Sequence, residues 1–124
     1  MSVRVYERFT KRNVIPFKPG TIQPGIPNAM VQTISAEPEV ECLVQRIVMH
    51  ASIAKRLVLV QILAGDTPKT PSGSGSCEIF MYDIPNWTPD EIVISPKNPL
   101  IILVRNWDDR PYKIVGSVVV LEEE

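Results

Sequence analysis

From residue 30 onward the chain alternates short apolar runs with clusters of turn residues. The runs at 30–36, 40–49, 57–63, 77–84, 91–95, 100–105 and 112–121 are rich in Val and Ile, side chains that suit a pleated, half-buried surface. Between them lie Glu37-Pro38, Pro85-Asn86-Trp87-Thr88-Pro89, Ser95-Pro96-Lys97-Asn98-Pro99 and Asp108-Asp109-Arg110-Pro111, where Asx-type turn chemistry and the missing proline donor stop a ladder. This spacing predicts an all-β fold, an antiparallel β-sandwich of about seven to eight strands over residues 30–124. One segment allows two readings. Val40, Val44, Ile47, Ala51, Ala54, Val58 and Ile62 nearly keep a 3.6-residue period, whereas the density of β-branched residues favours two strands with a turn at 50–55 over one helix.

Several of these runs are apolar at successive positions instead of alternating, most clearly 57–63, 100–104 and 118–121. A strand with two apolar faces has to be covered on both. In a small domain with few helices the second cover is expected from another copy or from the N-terminal segment, which predicts a homo-oligomer.

The N-terminal segment reads differently. Pro16, Pro19, Pro24 and Pro27, with Gly20 and Gly25, interrupt any helix or central strand, because proline fixes φ and lacks the amide donor. Residues 1–29 are therefore expected to form an extended Pro-rich arm, irregular over 13–29 and docked through Val14, Ile15, Phe17, Ile22 and Ile26. Removing the arm is expected to leave the sandwich folded. Charge sets it apart too: residues 1–20 hold Arg4, Arg8, Lys11, Arg12 and Lys18 against Glu7 alone, a net +4, while the rest of the chain carries −5. A basic leader beside an acidic body suits an anionic partner, either an acidic patch on a neighbouring copy or, more weakly, nucleic acid. Residues 65–76, ten of which are Gly, Pro, Ser or Thr, have the composition of a surface loop.

Composition adds exclusions. At 124 residues and 44% hydrophobic content the chain can bury a core without disulfides or a metal. Its apolar runs fall far short of the roughly 20 residues that cross a bilayer as a helix. The first eight residues show no apolar stretch of signal type, so synthesis in a cytoplasm is expected.

Catalytic chemistry finds little material. His50 is the sole histidine, and pairing it with Cys42 along one strand would span about 26 Å. Two cysteines and one histidine, with no CxxC or HxxxH spacing, do not make a zinc site. Asp83, Asp90, Glu91, Asp108 and Asp109 could meet around calcium only if their loops share one end of the fold. Cys42 and Cys77 are expected to be reduced, strand-buried thiols. No catalytic residue, metal or cofactor is expected. Two tetrads, Asn86-Trp87-Thr88-Pro89 and Asn106-Trp107-Asp108-Asp109, each set a Trp in a polar turn; such a ring caps the core, anchors a protein interface or stacks on a sugar.

Residues 40–121 resemble the small single jelly-roll β-sandwich subunits of bacterial virus particles. The resemblance is carried by the run 43–49 followed by Leu57-Val58-Leu59-Val60-Gln61-Ile62-Leu63-Ala64-Gly65 and a polar loop. A late unit from Ile92 through Asn106, a polar turn and a closing strand through Gly116 completes it. It implies a capsid or capsid-associated protein, located in the virion, whose sandwich is the building block and whose terminal arm ties neighbours together. The expected function is accordingly a non-enzymatic structural subunit with itself and other virion proteins as partners. Its interface candidates are Arg4, Arg8, Lys11, Arg12, Phe17, Ile22, Ile26, Trp87 and Trp107. The alternative is a carbohydrate- or ligand-binding sandwich using Trp87 and Trp107.

Overall fold

A computed structural model describes residues 8–25, 30–70, 75–81 and 92–123. The described chain is all-β, with every strand pair antiparallel. In chain order the strands are β1 (Phe9–Pro16), β2 (Thr21–Ile22), β3 (Val31–Ala36), β4 (Cys42–Met49), β5 (Leu57–Ala64), β6 (Thr67–Pro68), β7 (Gly75–Ser76), β8 (Val93–Ile94), β9 (Leu100–Asn106), β10 (Tyr112–Lys113) and β11 (Gly116–Glu123). One sheet has the order β1-β11-β4-β8. A second has the order β3-β9-β5-β6, with β7 also paired to β5, and β10 pairs with β2 by itself.

Between β4 and β5 the chain makes a single helical turn, α1 (Ala51–Ala54). The two-strand reading of residues 40–63 therefore holds, and the apparent helical period reflects strands buried on one face and half-buried on the other. The strand expected at 77–84 differs. Residues Cys77–Phe80 form a 3-10 helix, with the Ser76 hydroxyl accepting the Glu78 amide as its cap. Cys77 and Phe80, three residues apart, both turn into the core, as the 3-10 repeat requires.

One core joins the sheets. Ile34, Ile62, Leu100, Ile102 and Val104 from the second sheet share a cluster with Val44, Ile47, Val118 and Val120 from the first, closed by Phe80 and Ile53. Burying each large aliphatic side chain contributes about 1.5–3 kcal/mol. At the β5–β6 turn Gly65 adopts φ +63. A Cβ there would sit 2.5 Å from Asn98 Oδ1, so the site requires glycine on two counts.

The N-terminal arm is built into the fold over residues 9–25. β1 pairs with β11 from Phe9 to Pro16, and it is an edge strand, the place where a terminal proline is tolerated. Beyond it, Lys18 donates its amide to Ser35 O at 2.8 Å and Ile114 to Gly20 O at 2.9 Å. Gln23 N–H donates to the Gln32 side chain at 2.7 Å, and β2 pairs with β10. Residues 17–25 thus run as a strap between the edge of β3 and β10. Phe17 and Ile22 are buried beneath it at 6% and 1% exposure. The expected boundary between arm and domain, near residue 29, lies outside the described residues.

The polar stretch 65–76 is also tied down in part. Lys69 donates its amide to Ile62 O at 2.8 Å, and Thr70 Oγ1 accepts the Ile62 amide at 2.9 Å. Together with β6 and β7 these bonds cover the outer edge of β5.

Candidate functional site

The basic residues of the leading segment meet acidic residues of the same chain. Arg8 pairs with Glu123 at 3.1 Å and with Glu41 at 3.6 Å, and its guanidinium lies 4.8 Å from the Phe9 ring centroid. Lys11 stands opposite Glu122 in the β1–β11 register, and Lys18 pairs with Glu37 at 2.9 Å. Arg8, Lys11 and Lys18, three of the five basic residues in 1–20, are thus set beside carboxylates of the same chain. Exposed pairs of this kind contribute about 0–1 kcal/mol each. Arg12 lies on the exposed edge strand, while Arg4, Ile26 and Trp87 lie outside the described residues.

The free edge of β1 is poor in donors. The Val14 amide turns away from β11 and is taken by the Asn13 side chain at 2.9 Å; Pro16, the next position of the same parity, has no amide. Proline and cations such as Lys11 and Arg12 are the usual means of keeping an edge strand from pairing with another chain.

The outer face of the second sheet is another matter. Strand register places Val31, Arg105 and Val58 in one row, Thr33, Leu103 and Gln61 in the next, and Ser35, Ile101 and Leu63 in the third. A register shift between Leu59 and Gln61 leaves Val60 unpaired beside them. These aliphatic side chains fall outside the core cluster, yet only Arg105 among the nine row positions is charged.

At one end of this face stands the turn after β9. Asn106 is fully buried. Its amide donates to Gln23 O at 3.0 Å and Arg110 O at 2.8 Å, and its Oδ1 accepts the Asp108 amide at 2.9 Å. Gly25 donates to Asp108 O at 2.9 Å, and the Tyr112 hydroxyl donates to Asp108 Oδ2. The turn is thereby fixed, and it presents Trp107 at 61% exposure. The ring does not cap the core.

Hydrogen bonds from the Tyr112 hydroxyl, then from Asp109, with a smaller contribution from Arg56, hold the Asp108 carboxyl below its ordinary range. A carboxyl with a lowered folded pKa stabilises above its unfolded pKa, and the contribution is lost as pH falls through the folded value. Stability is therefore expected to fall below about pH 4. Asp108→Asn should flatten that acid limb in thermal melts, and an identical acid limb in the variant would contradict this role.

The other reactive side chains are committed to structure. His50 caps α1: its Nδ1 accepts the Ser52 amide at 3.1 Å and lies 2.8 Å from Ser52 Oγ. The lone pair a general base would use is thus engaged locally. His50 follows the last residue of β4 while Cys42 opens that strand, so the two stand at opposite ends. Cys42 and Cys77 are free and buried. Burial pushes both thiols up to about 12, with Glu122 and Glu41 adding to the shift at Cys42. A thiol so raised is a poor nucleophile. Ellman's reagent at pH 8 should modify neither thiol in the native protein and both after denaturation; prompt reaction of a native thiol would contradict this burial.

Among the described residues no group of three or more His, Cys, Asp or Glu is placed to hold a metal, and no helix is long and apolar enough to cross a membrane. Asp83, Asp90 and Glu91 lie outside those residues. Comparison with protein-family models, curated proteins and solved structures returned no match.

Proposed function

We propose that this chain is a non-enzymatic structural subunit that associates with further copies of itself, a jelly-roll-like β-sandwich of the kind that builds bacterial virus particles. The observation that carries the association is the outer face of β3-β9-β5, where Val31, Val58, Val60, Leu63, Ile101 and Leu103 form an aliphatic field interrupted by Arg105. Val31 is exposed and the other five are half-buried, and an aliphatic field left outside the core of a small domain suits an interaction surface. The resemblance over residues 40–121 supplies the virion setting, as a capsid or capsid-associated protein.

Native mass by light scattering tests the reading directly. Mass should rise with concentration above the 13.9 kDa of one chain. Leu103→Glu, in the middle of the outer face, should weaken association about tenfold or more, since interface cores exclude charge, without lowering the melting temperature. A monomer at every concentration would overturn the proposal. A second reading, a carbohydrate-binding module, is favoured by the exposure of Trp107. Tryptophan fluorescence that stays flat across a glycan panel would remove it.

A further inference from the structure

The second sheet is closed along both its edges. On the β3 side the strap is bonded to it, Lys18 N–H to Ser35 O and the Gln23 backbone to the Gln32 side chain; on the β5 side lie β6 and β7. A partner for this sheet therefore meets its outer face and does not add a strand. Of the nine row positions on that face Arg105 alone is charged. One aromatic ring extends it. Asn106 is buried and Trp107 is 61% exposed, so Trp107 continues the outward series of Ile101, Leu103 and Arg105.

A surface that covers such a face has to be as poor in charge over the same span, because a buried charge without a partner is costly. A second copy of the face meets that condition. Size agrees: three strands and the run from Pro99 to Trp107 span roughly 15 by 27 Å, and with side-chain relief two such faces approach the roughly 1,200 Å² at which stable interfaces begin. Two aligned stackings set a sheet about 10 Å from its own copy. With the two-fold axis along the strands each row faces itself, and Arg105 lies on Arg105, a like-charge contact inside the interface. With the axis across the strands at Leu103 the outer rows exchange, so that the row of Val31, Arg105 and Val58 faces that of Ser35, Ile101 and Leu63. The two Arg105 positions then stand about 14 Å apart along the strands, each over an isoleucine and near a serine hydroxyl that can accept from a guanidinium.

We infer that the outer faces of two copies stack about a two-fold axis crossing β9 at Leu103, with Arg105 of each copy over Ile101 of the other and Trp107 over its Pro99. This rests on the self-association proposed above and fixes its symmetry. The contact is isologous and uses up this face in a pair of chains. Aliphatic side chains fill its centre, and Trp and Arg, the residues most enriched at strong contacts, flank it.

Charge at position 101 reads the axis. In this stacking Ile101→Glu sets a carboxylate against Arg105 of the other copy, and Ile101→Lys sets a second cation there. By sedimentation velocity the Glu variant should associate about tenfold or more tighter than the Lys variant, and the gap should close in an Arg105→Ala background. Thermal melts of both variants at low concentration check that they are folded. With the axis along the strands, position 101 would face itself and the two variants would be equally weak, while wild type mixed with Arg105→Glu would form a heterodimer tighter than either parent. Equal association of the two variants overturns the inference and, if Leu103→Glu still breaks assembly, leaves the self-association reading standing. A second measurement needs no variant in the rows. Acrylamide quenching of Trp107, taken as the difference between wild type and Trp107→Phe, should fall as the protein associates; a ring that stays equally quenchable would also overturn the stacking. A wild-type monomer at every concentration would overturn both the stacking and the reading beneath it.

Discussion

Deleting residues 1–25 is expected to abolish cooperative folding. The deletion removes β1, and with it the whole ladder along β11 from Phe9 to Pro16. It also removes Ile15, Phe17 and Ile22 from the core cluster and leaves the inner flank of Val118 and Val120 open to water. At about 1.5–3 kcal/mol for each buried side chain, three of them approach the 5–15 kcal/mol net stability of an ordinary domain. The freed edge of β11 would be an unprotected strand. Far-UV circular dichroism and thermal melts should show an aggregated or molten chain. A truncated protein that melts cooperatively near the wild-type temperature would show instead that the segment is the detachable arm its sequence suggests.

The pairing of β1 with β11 shows which elements the sequence conveys and which it hides. β4, β5, β9 and β11 are legible because Val, Ile and Leu fill successive positions, a density that favours strands with both faces occupied even where 40–63 also keeps a near-helical period. β1 is not, because Thr10-Lys11-Arg12-Asn13 is polar and Pro16 ends it, the composition of a tail. An edge strand with one exposed side has the same composition. The signal that distinguishes the two is distant in sequence: Arg8 and Lys11 have their counterparts in Glu123 and Glu122, more than a hundred residues away. At 77–84 the β-like content of Cys77-Glu78-Ile79-Phe80 hides a local cap, Ser76 bonding the Glu78 amide, that starts a 3-10 turn. The tetrad around Trp107 is legible as a polar turn bearing an aromatic ring. The residue that holds it there, Asn106, is not, because an asparagine ending an apolar run reads as a turn former and carries no sign of burial.

Replacing Asn106 is therefore expected to have the largest effect of any single polar substitution. Its side chain is buried and makes three bonds, to Gln23 O, Arg110 O and the Asp108 amide, so it ties the strap over β3 to the turn after β9. Asn106→Ala takes the side-chain partner from Arg110 O and from the Asp108 amide, while Gln23 O keeps the Gln32 side chain as a donor. Each orphaned group costs about 1–3 kcal/mol, and with relaxation the net loss should be about 2–4 kcal/mol in denaturant melts. Trp107→Ala, one residue on and exposed, should stay within about 0.5 kcal/mol of wild type. Asn106→Asp separates packing from hydrogen bonding. It keeps the volume and the acceptor for the Asp108 amide but turns a carboxylate toward two carbonyl oxygens. That environment disfavours the charged form and raises the folded pKa above the unfolded one. The variant's stability should then be highest at low pH, where the carboxyl is protonated and can donate, and fall as pH rises past the unfolded value, opposite in sign to the contribution of Asp108. An Asn106→Asp protein with the wild-type pH profile would mean that the strap and the turn are held by packing, with the three hydrogen bonds contributing little.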